Sequence, residues 1–193
     1  PGFGIRRIAQ WLRRVLLIPA SPETVRQTLH RHSMLPKTQP RKAPRNPPKP
    51  RFFERATPMQ MWQSDICTVR ILHKQAYLIG FMDDHSRYLV GLGVYRSQTC
   101  ENVLEVYRTA VGEYGAPKEM LTDNGRQYAA WRGKTRFQQE LQEDQVHHIR
   151  SQPHHPMTLG KIERFWKTIW EEFLERARFE TFESAVERIG WWV

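Results

Sequence analysis

Apolar residues recur at spacings of three and four over Ile5, Ile8, Ala9, Leu12, Val15 and Leu16, the period of one buried helix face, and Pro19 closes that helix. Ser21 then offers an N-cap oxygen, Pro22 takes the first helical position and Glu23 suits the helix dipole. A second short helix is therefore predicted, with Val25 and Leu29 inward and its end near His32. The periodicity vanishes over residues 36–58, which hold seven of the thirteen prolines, interleaved with Lys37, Arg41, Lys42, Arg45, Lys49, Arg51 and Arg55. Proline removes backbone donors and the like charges repel, so this stretch reads as an extended linker.

From Met59 the pattern is that of strands: Trp62 to Leu72, Ala76 to Met82, and Tyr88 to Tyr95, with the turn Asp84-His85-Ser86-Arg87 between the last two. A helix capped near Thr99 follows, with Val103, Val106, Tyr107, Ala110, Val111 and Tyr114 on one face, stopping at Gly115 and Pro117. Next come a short strand over Glu119 to Thr122, a polar helix around Thr135 to Glu143 and a strand over Val146 to Arg150. A long helix from about Leu159 to Arg176 should bury Ile162, Phe165, Trp166, Ile169 and Phe173, and a last helix starts near Thr181. The order βββαβαβαα predicts an α/β unit, a mixed five-stranded sheet flanked by helices. The organisation expected is a helical segment over 1–35, the linker over 36–58 and the α/β unit over 59–193.

Charge sharpens this picture. Of the net charge of +10, residues 1–58 carry +11 and the remainder −1. A basic arm on a near-neutral body suits a polyanion, most often nucleic acid, and also fits a solvated basic tail. The two short helices resemble the second and third helices of a helix-turn-helix DNA reader and fit a plain helical hairpin equally. As a reader, the second helix would turn Thr24, Gln27, His30 and Arg31 outward to bases or phosphates, and Lys42 and Arg45 of the linker would follow the backbone of a duplex. Cys67 and Cys100 lie outside any metal-type spacing, which suggests a reduced intracellular protein without structural zinc. No run is apolar enough for a membrane span or an export signal, so a cytoplasmic location is expected. The chain starts at Pro1 and stops in the apolar Gly190-Trp191-Trp192-Val193, so both ends read as cut.

Three acids stand where acids are least expected. Asp65 lies inside the apolar strand Trp62-Gln63-Ser64-Asp65-Ile66-Cys67, Asp123 ends a strand in Leu121-Thr122-Asp123-Asn124-Gly125, and Glu163 is on the first turns of the long helix. A carboxylate in a central strand costs several kcal/mol unless something compensates it. A hard divalent cation does so with carboxylate oxygens, waters and substrate phosphate, and two such ions can clamp an in-line displacement at phosphorus. Each acid taken singly also fits a structural role, Asp123 as an ordinary turn aspartate. On the long helix Lys161, Arg164 and Lys167 flank the same entrance and could meet DNA, or form a solvated face. Asp83 and Asp84 fit hairpin pairing with Arg87 or backbone amides better than a metal site. His154 and His155 could touch substrate or lie exposed, one of His147 and His148 should be a core imidazole, and Trp11, Trp62, Trp166, Trp170, Trp191 and Trp192 read as core or interface aromatics.

Thr122-Asp123-Asn124-Gly125 and, forty residues on, Gly160-Lys161-Ile162-Glu163-Arg164-Phe165 resemble the second and third acidic motifs of bacterial insertion-sequence DDE transposases with a retroviral-integrase-like core. Trp62-Gln63-Ser64-Asp65-Ile66 resembles their first motif, and Phe81-Met82-Asp83-Asp84-His85-Ser86-Arg87 their Asp-rich hairpin. The likeness runs from about Phe52 to Ile189. It implies a ribonuclease-H-like fold, Mg²⁺ or Mn²⁺ as cofactor in two ions, and Asp65, Asp123 and Glu163 as catalytic metal ligands. It also implies strand cleavage and strand transfer at mobile-element ends, with element-end and target double-stranded DNA as partners. A homo-oligomer on DNA and a bacterial, nucleoid-associated location follow from the same likeness. Three departures stand out: a slightly long gap from Asp123 to Glu163, absorbed by Trp131-Arg132-Gly133-Lys134; a reader without its first helix; and a core that stops at Val193. Two other readings stay open, an incomplete fragment that binds element ends and represses transposition, and a stand-alone metal-dependent nuclease of the same fold.

Overall fold

The structure, a computed structural model, describes residues 4–35, 54–130, 132–151 and 159–193. It divides into two compact units, Pro1–Pro50 and Arg51–Val193. The predicted linker lies outside the described residues as far as position 53. Glu54 to Pro58, expected as its end, are tied to the second unit instead. The Arg55 backbone N–H donates to Asp84 Oδ2 at 2.8 Å, and its guanidinium pairs with Glu119 at 2.6 Å.

The first unit is a helical hairpin of α1 (Ile5–Val15) and α2 (Pro22–Arg31). Ser21 caps α2 as expected, its Oγ accepting from the Thr24 N–H. The hairpin core is small: Ala9, Ala20 and Val25 are buried, with Ile5, Ile8, Leu12 and Leu29 packed against them. Val15 and Leu16, expected on the buried face, are instead 58% and 49% exposed. Arg13 links the two by donating to the Ala20 carbonyl at 3.1 Å.

In the second unit, β1 (Met61–Ile71), β2 (Lys74–Asp83) and β3 (Leu89–Tyr95) form the antiparallel meander. Helix α3 (Cys100–Tyr114), capped by Thr99, carries the chain to β4 (Glu119–Thr122); α4 (Arg136–Glu143) leads to β5 (His147–Arg150). The sheet order is β3-β2-β1-β4-β5, with β4 parallel to both β1 and β5, which is the expected mixed five-stranded sheet. Alternation along each strand makes two cores. Trp62, Ile79, Phe81 and Met120 point to the face covered by α3 and α4, where Tyr107 and Phe137 are fully buried. Met61, Leu78, Met82 and Leu121 point to the face covered by α5 (Gly160–Ile169) and α6 (Phe182–Trp192).

The predicted long helix is interrupted. After Ile169 the chain widens into a π turn over Trp170–Leu174, which re-phases it. Phe173 then stacks on Trp192 with ring centroids 6.1 Å apart, while Trp170 is left 47% exposed. Trp11 and Trp191 are likewise exposed at 49% and 83%; of the tryptophans read as core or interface aromatics, Trp62 and Trp166 lie in the core and Trp192 is half-buried. Among the described residues no helix is long and apolar enough to cross a membrane.

Candidate active site

Asp65 sits midway along β1 on the α5 face, in the alternating series Met61, Gln63, Asp65, Cys67, Val69. The parallel register sets Trp62 beside Met120 and Gln63 beside Leu121. That register ends there, and Asp123 follows one residue after the last residue of β4. Glu163 lies exposed in the first turn of α5, which packs on that face through Ile162 and Trp166. Asp65 feels the charges of both Asp123 and Glu163, so three acids separated by up to 98 positions stand near one another.

Burial raises the Asp65 carboxyl above the ordinary aspartate range, and the charges of Asp123 and Glu163 push the same way. Hydrogen bonds from the Ile66 backbone and from Trp166 oppose the shift. Asp65 also keeps the neighbouring Cys67 thiol protonated: burial first, then this carboxylate, push that thiol up to about 11. Among the described residues no group of three or more His, Cys, Asp or Glu side chains is placed to hold a metal ion. The donor set nevertheless fits a hard dication, since all three groups are carboxylates and a cation would relieve the mutual repulsion felt at Asp65.

The shell around the acids is hydrogen-bonded. Asp65 Oδ2 accepts from the Trp166 indole N–H at 3.0 Å. Asp123 Oδ1 accepts from the Gly125 N–H at 2.9 Å, and Asn124 donates to the Ser151 carbonyl at 2.9 Å, which holds the turn against the end of β5. Thr122 Oγ1 donates to the Asp123 carbonyl at 2.8 Å and also meets His148 Nε2 at 2.9 Å. His148 is the half-buried imidazole expected of the pair, and His147 is exposed. Beneath the acids Ser64 and Tyr128 share a buried hydroxyl contact of 2.9 Å, and burial holds the phenol well above its usual range.

The basic residues divide. Lys161, expected to face DNA, has its ammonium on Asp84: 2.8 Å to Oδ1, 2.6 Å to the carbonyl, and 3.4 Å to Glu54. Asp84 is fully buried, and an unpaired carboxylate there would be costly, so this lysine is held inward as its counter-ion. Arg164 and Lys167 are exposed on α5, the latter 3.6 Å from Glu171. Asp83 accepts from Ser86 within the hairpin turn and from the Met59 N–H, whereas Asp84 accepts from Gln63 at 2.8 Å and from the Arg55 N–H, outside the turn. Arg87 turns to Glu54 instead, at 3.7 Å. In the first unit Thr24, Gln27 and Arg31 are exposed on α2, with Thr24 on Ser21 and Gln27 on Glu23. Lys42, Arg45, His154 and His155 lie outside the described residues. Trp166 was legible only as a core aromatic, and Gly80 was not singled out, although a glycine inside an apolar strand is a signal of close approach.

The integrase core domain matches residues 55–156, and a second integrase core domain pattern matches residues 144–193. The chain is 26% identical over 140 residues to the transposase of insertion sequence element IS904 of Lactococcus lactis, covering 72% of this chain and 54% of that protein. It is 27% identical over 124 residues to the intracisternal A-particle Pol-related polyprotein of mouse, 63% of this chain and 13% of that one. It therefore spans about half of the first relative and a small part of the second. Among solved structures, the HTLV-2 integrase catalytic core domain in complex with magnesium superposes with a TM-score of 0.54 at 18% identity, over 70% of this chain and 86% of that one. The simian T-cell lymphotropic virus intasome in complex with the PP2A regulatory subunit B56 gamma gives 0.57 at 20%, over 93% and 65%. At these identities the structural likeness is one of fold, the ribonuclease-H-like fold that the acidic motifs implied. With more than half of its length matched, and with the sheet and motifs in the expected order, this chain belongs to the integrase core domain family.

Proposed function

We propose that this chain is the catalytic core of an insertion-sequence DNA transposase, which cleaves DNA at mobile-element ends and joins the freed ends to a target. The observation that supports the reading is that Asp65, on β1, feels the charges of Asp123, just after β4, and of Glu163, in the first turn of α5. These three would hold Mg²⁺ or Mn²⁺, two ions in all. Bound there, the ions supply Lewis acidity at the scissile phosphorus.

The residues of the chain do the rest. Glu163 stands exposed at the start of α5, so a duplex can approach the acids from that side. Arg164 and Lys167, on the same helix, would meet its phosphates, whereas Lys161 stays with Asp84 and orients the helix. In the first reaction water attacks the phosphodiester at an element end and the P–O3′ bond breaks, freeing a 3′-hydroxyl. In the second, that hydroxyl attacks a target phosphodiester and displaces its 3′-oxygen, so one bond is made for each broken. Thr24, Gln27 and Arg31 of α2, with Lys42 and Arg45, would bind the element-end duplex. The magnesium and the intasome described for the similar integrases support the metal and a homo-oligomer on DNA. A bacterial cytoplasmic, nucleoid-associated location goes with this reading.

The test is Mn²⁺-dependent nicking and joining of supercoiled plasmid by the parent chain beside Asp123→Asn and Glu163→Gln. Activity in the parent and its loss in both variants, with folding intact, is expected. Equal results in folded parent and variants would sink the enzyme reading and favour a fragment that occupies element ends without cutting.

A further inference from the structure

We infer that Trp166 is a positioning residue for Asp65, its indole N–H holding one carboxylate oxygen so that the other is aimed at the space shared with Asp123 and Glu163. This inference rests on the proposed triad. Asp65 Oδ2 accepts from Trp166 Nε1 at 3.0 Å, deep in the fold, where Trp166 is only 7% exposed. Trp166 follows Glu163 by three positions, so one turn of α5 carries both a proposed ligand and the donor that orients another.

The sheet is shaped to let the indole reach. Gly80 on β2 pairs directly across from Asp65. A Cβ at position 80 would lie 2.7 Å from Trp166 Cη2 and 2.8 Å from Cζ2, both parts of a rigid ring. Only glycine leaves the indole room to lie across that strand and meet the carboxylate. The ring is further fixed by an edge contact with Phe165, centroids 5.2 Å apart.

Packing alone does not require this bond. Trp62 is completely buried in the same sheet, and its Nε1 has no partner among the described residues. The chemistry of the donor also matters. An indole N–H donates and never ionises, so it fixes the Asp65 oxygen without neutralising it, as a lysine or arginine there would. The full negative charge is left for a cation. Hydrogen-bonded partners of metal ligands typically contribute 10- to 100-fold to metal affinity.

The experiment measures Mn²⁺ binding by the full chain, from the electron paramagnetic resonance signal of the free ion, for the parent, Trp166→Phe, Gly80→Ala and Asp65→Asn. Trp166→Phe should weaken Mn²⁺ about tenfold or more. Gly80→Ala should do the same, and the double variant should be no worse than either single one. Asp65→Asn should lose the tight site. If Trp166→Phe is folded and binds as the parent does while Asp65→Asn does not, the inference fails and the triad stands. If Asp65→Asn also binds as the parent does, both fail. A second readout avoids the risk that the core variants do not fold. In ¹⁵N-labelled parent, one of the seven indole N–H signals should shift upfield on Asp65→Asn, and it should be the signal missing from Trp166→Phe. An indole spectrum unchanged by Asp65→Asn overturns the inference.

Discussion

Thr122 has a single hydroxyl proton, and it goes to the Asp123 carbonyl at 2.8 Å. The contact with His148 at 2.9 Å must then run the other way, with Nε2–H donating to the Thr122 oxygen. A neutral imidazole therefore braces the turn that carries Asp123. Burial, then the charges of Arg150 and His147, hold His148 down to about 4. An unfolded histidine titrates near 6.5, so between these values the unfolded chain binds a proton that the folded chain refuses. The contribution to stability is complete above about pH 6.5 and declines as pH falls towards 4. The urea midpoint should drop between pH 7 and pH 5, and the drop should be shallower in His148→Gln, which cannot titrate. The same decline in both proteins would show that another group controls it.

At the scale of elements, α5 is positioned by two contacts, Trp166 on Asp65 in its middle and Lys161 on Asp84 at its start. Asp84 is fully buried and also accepts from Gln63 and from the Arg55 backbone, so it joins the first strand, the hairpin turn and the helix that carries Glu163. Removing one partner of such a buried pair costs about 3 kcal/mol. Lys161→Met should therefore lower unfolding stability by about that amount, while Arg164→Met, on the exposed face, should leave it nearly unchanged. A stable Lys161→Met that only weakened DNA binding would restore the expectation read from the motif. Sequence periodicity located the five strands, α3 and α4 to within about two residues, because one face of each is buried and repeats at its own period. It could not show the π turn after Ile169, which depends on how Phe173 and Trp192 meet. Nor could it give Lys161 its partner, since Asp84 lies 77 positions away and only the hairpin turn brings it to the helix. The acids were legible as anomalies of pattern, a charge inside an apolar strand and another at a strand end. Trp166 was not, because an aromatic at helical spacing looks the same whether or not its N–H has a carboxylate to meet.

At the scale of the whole chain, charge and chemistry are separated. Residues 1–58 carry +11 against −1 for the remainder, so the acids that would hold cations lie in the near-neutral part and most of the charge that would seek phosphate lies in the other, Arg164 and Lys167 on α5 excepted. Affinity for DNA should therefore fall steeply with salt, each phosphate contact contributing about 0.9 to the slope of log K against log salt. Lys42→Gln with Arg45→Gln should reduce that slope by roughly 1 to 2 without changing Mn²⁺ binding. An unchanged slope would remove these two residues from the DNA contact.

Asp65, Asp123 and Glu163, distant in sequence, are proposed to share one metal site, and affinity cleavage probes that arrangement on the protein itself. Fe²⁺ placed in that site, with ascorbate and peroxide, cuts the backbone beside the bound ion. Cuts are expected to cluster near residues 65, 123 and 163 together, to be suppressed by excess Mg²⁺ and to be absent in Asp123→Asn. Cuts confined to one of the three segments, or persisting unchanged in Asp123→Asn, would contradict a shared site.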